Sequence, residues 1–408
     1  MKWLQLAARN VLRHQRRTVM AATIVATGSA AVLVAVGYML ATFWGLREMT
    51  IRGELGHIQI AAHGQFDAST EATERQGLEA GTAERIINHA QSLPGVRDVL
   101  RRVTFEGLVS TGDRTVAYLG QGVEPDKEMS LAGTVLPLLA GSPLPPPTVT
   151  DQMQAMLAVD LARSLGVKPG DMITLLSNTA DGMLNGIDVT VAGIYQTGVP
   201  EYDKRAMMIT LQAAKVLMKS DRVMRLVVVL DDTERTDVIA ATLANAFPDQ
   251  DVRRWSDLAS FYQKVVTLYH GIFTVMGVII LLVVLLSVTN TMLMSIMERV
   301  REAGTMMAFG VPRARLRLNF ALEGCIIGSI GAVIGLIVAA LMAYGINAME
   351  LMMPAPPGRT MPVPLVIFTE GGWFAGVFAV MVALGGLSAW LPTRHIVGLK
   401  IVDALGHT

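Results

Sequence analysis

The chain has 408 residues, 52% of them hydrophobic and only 17% charged, and its mean hydropathy is +0.45. A soluble domain carries about a quarter charged residues, so a wholly soluble globule is excluded. The formal net charge of zero argues for no nucleic-acid partner, and the single cysteine, Cys325, excludes an intramolecular disulfide.

In chain order, "MKWLQLAARNVLRHQRR" places Leu4, Ala8, Val11 and Leu12 on one helical face and Arg9, Arg13 and Arg16 on another. That spacing predicts a cytoplasmic amphipathic helix over 1–18, lying on the inner leaflet. Residues 19–44 carry no charge and are too many for a signal peptide's apolar core, so they read as the first transmembrane helix. Ala22, Ala26 and Ala30 give it a small-residue face.

Residues 45–268 read as one large α+β domain. "GHIQIAA" (56–62) and "RTVAYLG" (114–120) alternate like strands, and "RLVVVLDD" (225–232) is an apolar run like a buried strand. "TAERIINHAQSL" (82–93) sets Ile86, Ile87 and Ala90 on one helical face, and "VKPGDMITLL" (167–176) reads as a type II turn entering a strand. The proline-rich "SPLPPPTVT" (142–150) is expected to separate subdomains.

Uncharged residues 271–294 give the second span, 295–318 a short charged connection, and 322–346 the third span, whose sole charge is Glu323. An ionisable residue in a span is a functional candidate, or else reaches headgroups or a neighbouring arginine. Gly324, Gly328, Gly331 and Gly335 follow at spacings of four, three and four, a stripe for close helix packing. An outer loop (347–372, with "APPGRTMPVPL" at 355–365), a fourth span (373–391) and a cytoplasmic tail (392–408) complete the chain. Arg and Lys gather in the N-terminal segment and in the connection between spans two and three, whereas the loop between spans three and four has only Arg359. The bias places both termini in the cytoplasm and the large domain outside.

Catalytic signatures are absent: the sequence contains no GxxxxGK[ST], GxSxG or HExxH. His57 and His63 have no evident third metal ligand, and Asp160, Asp171, Asp181 and Asp188 read as surface acids in turns. The chain is therefore expected to be no enzyme, with no metal and no bound cofactor.

The connection carries the sharpest signal. "MERVREAGTMMAFG" (297–310) sets Glu298, Arg299, Arg301 and Glu302 directly after an uncharged span, beside the apolar "MMAF" and ahead of Pro312. A short charged helix along the inner membrane face suits docking of a soluble partner and passing its movement to the spans. A loop obeying charge rules would explain the arginines but not the acids.

"NTMLMSIMERVREAGTMMAFGVPRARL" (290–316) resembles the FtsX-like permease family, whose pattern "ER.REIG..RA.G" is matched at Glu298, Arg299, Arg301, Glu302, Gly304, Ala308 and Gly310. The match departs at Met307, where that family often has arginine. "LEGCIIGSIGAVIG" (322–335) and "ARNVLRHQRRT" (8–18) are similar to its next helix and its N-terminus. "GHIQI", "GVEPDKE" (122–128), "LAVDLARSLGVKPGDMITLL" (157–176) and "VTVAGIY" (189–195) resemble the MacB-like periplasmic core domain of its lipoprotein-releasing and macrolide-exporter branches.

The resemblance implies a permease subunit of a type VII ABC transporter in the bacterial inner membrane. It would pair with a second permease, the same or related, and with two copies of a separate ATPase that binds ATP and Mg. No nucleotide-binding domain precedes the first span, so the fused-ATPase arrangement is not expected. Export or extraction of an amphipathic cargo, a lipoprotein or lipid, is the leading reading, with a possible periplasmic acceptor. The alternatives are a mechanotransmission subunit regulating a periplasmic protein such as a cell-wall hydrolase, and a membrane receptor or scaffold that uses no ATP.

Overall fold

The computed structural model describes residues 2–13, 15–66, 77–132, 136–146, 153–355 and 359–396. In chain order the main helices are α1 (Lys2–Arg13), α2 (Gln15–Thr50), α3 (Ala80–Ser92), α4 (Pro125–Ala132), α5 (Val159–Leu165), α6 (Leu211–Met218), α7 (Thr236–Ala246), α8 (Ser260–Met297), α9 (Val300–Ala308), α10 (Arg313–Ala348) and α11 (Gly371–Ile396). The strands of the large sheet are β1 (Ile58–Ala62), β2 (Val96–Ser110), β3 (Thr115–Val123), β4 (Leu138–Gly141), β5 (Gln154–Ala158), β6 (Met172–Asn178), β7 (Leu184–Tyr195), β8 (Ala206–Thr210), β9 (Arg225–Leu230) and β10 (Gln250–Arg254). The chain divides into two units: residues 1–44, 265–353 and 364–408 form a helical one, and 45–264 with 354–363 form an α+β one.

In the helical unit α2, α8, α10 and α11 are long and apolar enough to cross a membrane. Each begins or ends outside its uncharged stretch; α8 starts at Ser260 and α10 at Arg313. Apolarity marks the part of a helix suited to lipid, whereas backbone hydrogen bonding carries the helix on through the polar flanks.

The glycine stripe of α10 serves two neighbours. A Cβ on Gly328 would stand 2.8 Å from the Met381 carbonyl oxygen, and one on Gly324 2.8 Å from the Ala389 Cβ, so the first half packs on α11. A Cβ on Gly331 would stand 2.7 Å from the Ala22 carbonyl oxygen and one on Gly335 2.5 Å from that of Ala26, so the second half packs on α2. Backbones approach this closely only where no side chain intervenes. By contrast α8 buries the narrow stripe Val284, Val288, Met292 and Ile296 and leaves most of its apolar surface open.

Helix α1 differs from its expected pattern. Ala7 and Val11 are buried, whereas Leu12 is 68% exposed on the same side as Arg9 and Arg13. The buried stripe follows the third span rather than a lipid surface. The Leu4 side chain and residues 397–408 lie outside the described residues.

The α+β unit has two lobes that share β2. Its first half, up to Arg102, pairs with β9, and β9, β1 and β10 continue that sheet antiparallel. Its second half pairs with β3 from Val103 onward and with β6 from Gly107. Strand pairs β3–β8, β8–β5, β5–β7 and β7–β6 then close a six-membered ring back onto β2. One core lies under α3 and α7 and includes Ile86, Ile87 and Ala90; the other fills the ring. The predicted turn at 168–171 is present, with Asp171 N–H donating to the Lys168 carbonyl at 3.1 Å and Gly170 at φ +98°.

The proline-rich 142–150 does not separate the lobes. Its described residues follow β4, with Leu144 buried beside Val123 and Met156 inside the ring lobe, and 147–150 lie outside the described residues. The lobes meet along one continuous strand, which no composition shift marks. Residues 354–363, between α10 and α11, also belong to this unit: Thr360 N–H donates to the Gly198 carbonyl at 2.9 Å.

Candidate functional site

The connection between α8 and α10 is built by three local rules. First, α8 ends at Met297, and Arg299 caps the next helix at φ −105°, ψ 13°. Second, α9 is amphipathic: Val300, Ala303, Gly304 and Met307 turn inward against Ile296, Leu316 and Phe320. Third, Gly310 at φ +85° ends it, with its N–H on the Met307 carbonyl at 3.0 Å and the Val311 N–H on that of Met306 at 3.1 Å. That pair of bonds is a Schellman cap, which needs a left-handed residue at the glycine position. Pro312 then caps α10.

The sequence-predicted residues divide between two faces. Glu298, Arg301, Glu302, Ala308 and Gly310 are exposed, joined by Thr305 and by Phe309 at 86% exposure. Arg299 and Gly304 are buried. The charged cluster is thus not one docking face, as the sequence suggests. Arg299 turns inward because Glu323, 6% exposed and about three turns inside α10, supplies the opposite charge. Its Nη1 donates to Glu323 at 2.8 Å and its Nε to Glu302 at 3.0 Å, while the guanidinium lies 5.2 Å from the centre of the Phe320 ring. Glu323 therefore finds its partner in a neighbouring arginine rather than in headgroups.

Two asparagines complete the Glu323 shell: Asn10 Nδ2 donates at 2.6 Å and Asn319 Nδ2 at 3.1 Å. Arg17 of α2 pairs with Glu298. Charges removed from water persist when paired and hydrogen-bonded, as Arg299 and Glu323 are, whereas the Arg17–Glu298 pair stays exposed to solvent. The cavity beside them, lined by Asn10, Arg17, Ser295 and Arg299 among others, measures about 20 Å³, room for a water and no larger ligand.

Asn10, Arg17, Asn319 and Phe320 are absent from the sequence-derived site. Asn10 and Arg17 carried a signal, since both lie within the stretch that resembles the family's N-terminus, and Asn10 falls between Ala7 and Val11, which are buried. Met307, the departure from the family pattern, is 7% exposed and faces the apolar cluster, so the outward surface of α9 is unaffected by it.

The remaining candidates stand apart. His57 is buried, its Nδ1 accepting from the Leu230 N–H, whereas His63 is exposed and lies 3.0 Å from Asp251. Among the described residues no three metal-binding side chains gather. Asp160, Asp171 and Asp188 bind Arg163, the Lys168 N–H and Thr174. The arrangement at α9 holds no nucleophile with an adjacent base; what it offers is an exposed short helix locked from behind by charge.

Comparison with known proteins adds two family matches: the MacB-like periplasmic core domain over residues 18–246, and the FtsX-like permease C-terminal region over 274–401. The chain is 23% identical to the lipoprotein-releasing system transmembrane protein LolC of Neisseria meningitidis over 61% of its own length and 58% of that protein's. It is 31% identical to the macrolide export ATP-binding/permease protein MacB of Shigella boydii over 32% of its length and 18% of that protein's. The chain thus spans under two thirds of each of these relatives. The periplasmic region of MacB from Actinobacillus actinomycetemcomitans is 13% identical, with a TM-score of 0.35, over 52% of this chain and 95% of that one.

Proposed function

From the premise that the chain belongs to the MacB-like periplasmic core domain family, with an FtsX-like permease region following it, we propose that it is the permease subunit of an ABC transporter. The observation that carries this reading is α9, a short helix between the second and third spans that presents Arg301, Thr305, Ala308 and Phe309 outward while its other face is fixed to the spans. Such a helix can take a push from a soluble partner and hand it to two membrane helices at once.

The partner is a separate ATPase in two copies, which holds ATP and Mg; this chain supplies no catalysis. A second permease, the same or related, completes the assembly, and the open apolar face of α8, from Leu268 to Leu286, is available to it and to lipid. The protein sits in the inner membrane with both termini and α9 in the cytoplasm and the α+β unit in the periplasm. The cargo is amphipathic, a lipoprotein or lipid passed to a periplasmic acceptor. The LolC match favours this, since that relative belongs to a lipoprotein-releasing system and its match covers a larger share of the chain than the MacB match does.

The test is affinity purification of the tagged chain from solubilised membranes, with partners identified by mass spectrometry. A stoichiometric ABC ATPase that is lost from Phe309→Ala and Arg301→Glu variants supports the reading. Recovery of the wild-type chain without any ATPase sinks it in favour of a receptor or scaffold. An ATPase accompanied by a cell-wall hydrolase, with no lipid-modified cargo, moves the reading to regulation.

A further inference from the structure

Four side chains from three stretches of sequence meet at the inner end of the helical unit. Asn10 comes from α1, Arg299 from the turn ahead of α9, and Asn319 and Glu323 from α10. Asn10 and Glu323 are 313 residues apart. Arg299 and Glu323 are each 6% exposed, and the Arg299 guanidinium also leans on the Phe320 ring.

The apolar cluster of Ile296, Val300, Ala303, Met307, Leu316 and Phe320 gives α9 adhesion without direction, because dispersion and burial tolerate sliding. A buried ion pair does not tolerate it. Displacing either partner leaves an uncompensated charge, so the pair fixes register more than it adds stability.

We propose that the Arg299–Glu323 pair, braced by Asn10, is a positioning latch that makes α9, the inner end of α10 and α1 move as one body. A push on α9 then turns the third span and the N-terminal helix together rather than bending the connection. The latch rests on the permease reading only for the origin of the push.

Amide hydrogen exchange on the full chain in lipid nanodiscs tests it. Arg299→Gln and Glu323→Gln each raise exchange across 300–308 at least tenfold. The double variant exchanges no faster than the worse single one, because removing both charges leaves neither unpaired. Asn10→Ala keeps both charges and still raises exchange across 300–308 several-fold, while 328–339 on the same span stays unchanged. The proposal is overturned if the two single effects multiply in the double variant, or if the Asn10→Ala effect stays within 2–13. Should Glu323→Gln fail to fold, the Asn10→Ala result decides alone. Absence of an ATPase from the purified wild-type complex would sink the permease reading while these exchange data still decide the latch.

Discussion

Gly324 and Gly385 stand face to face: a Cβ built on either would collide with the carbonyl oxygen of the other, and one on Gly385 would also stand 3.1 Å from the Gly328 Cα. The third and fourth spans therefore touch backbone to backbone. A single methyl has nowhere to go, because the obstructing atoms are main chain rather than the ends of flexible side chains.

Gly385→Ala is expected to destabilise the helical unit by about 1–3 kcal/mol, the usual range for overpacking. Gly277→Ala on α8 is the matched control, since nothing lies within 4 Å of its Cβ position. Thermal unfolding of the two variants in detergent should show a loss for the first and none for the second. Equal behaviour would contradict the close contact.

Met307→Arg restores the residue that the related family often carries, and it is expected to harm this protein. Met307 faces Ile296, Leu316 and Phe320 at 7% exposure, so an arginine there must bury its charge or pull α9 off its bed. Burial of an uncompensated polar group costs about 2 kcal/mol or more. The expected outcome is a lower unfolding temperature and faster exchange across 300–308; wild-type values in both would show that α9 has room to turn.

The contrast between Met307 and Phe309 shows what sequence reveals. Their order and polarity mark a helix and its glycine stop, because those are local properties of a dozen residues. Which residues face inward depends on the partner surface, here Leu316 and Phe320 beyond a sharp turn, and periodicity over nine residues is too short to settle it. Arg299 shows the same limit: its charge is legible, but its burial follows from Glu323, 24 residues on. The glycine stripe was legible as a packing face, yet its division between α2 and α11 was not, since spacing says that neighbours come close without naming them. The long strand β2 escaped for another reason: a continuous strand shared by two sheets has no boundary signal, whereas the prolines at 142–150 mark only irregular backbone.

Arg102 and Glu128 form a buried ion pair where β2 passes from one lobe to the other. Arg102 donates from Nη2 at 2.5 Å and from Nε at 3.1 Å, and each residue is 4% exposed. Neighbouring contacts hold α4 on the same strand: Glu124 accepts from Arg101 at 2.7 Å, and Lys127 donates to the Val99 carbonyl at 3.0 Å. Glu128→Ala removes the carboxylate that faces the buried Arg102 guanidinium and is expected to cost about 3–5 kcal/mol. Replacing both, as Arg102→Met with Glu128→Leu, should recover most of that loss. Denaturant unfolding followed through tryptophan emission checks it; a double variant as weak as the single one would show that shape rather than charge balance sets the cost.

His57 should make the α+β unit acid-sensitive. Its Nδ1 accepts from the Leu230 N–H at 3.1 Å and its Nε2 lies 3.2 Å from the Thr233 hydroxyl, a pattern that the neutral ring with a proton on Nε2 satisfies. Burial is the main cause that brings its pKa from 6.5 down to about 4; Arg52 and Arg47 lower it further, while Glu48 and Asp232 pull the other way. Between those two values the unfolded chain binds the proton and the folded one does not, so stability is complete above pH 6.5 and falls as pH drops. The slope is about 1.4 kcal/mol per pH unit, about 3 kcal/mol in all, and it flattens below the folded value, where both states are protonated. A His57→Gln variant lacks this dependence even if it is less stable at neutral pH. Unfolding free energies of both proteins between pH 7 and pH 4 should therefore converge as pH falls, and curves that stay parallel would show that the ring is already protonated, or hydrated, in the folded state.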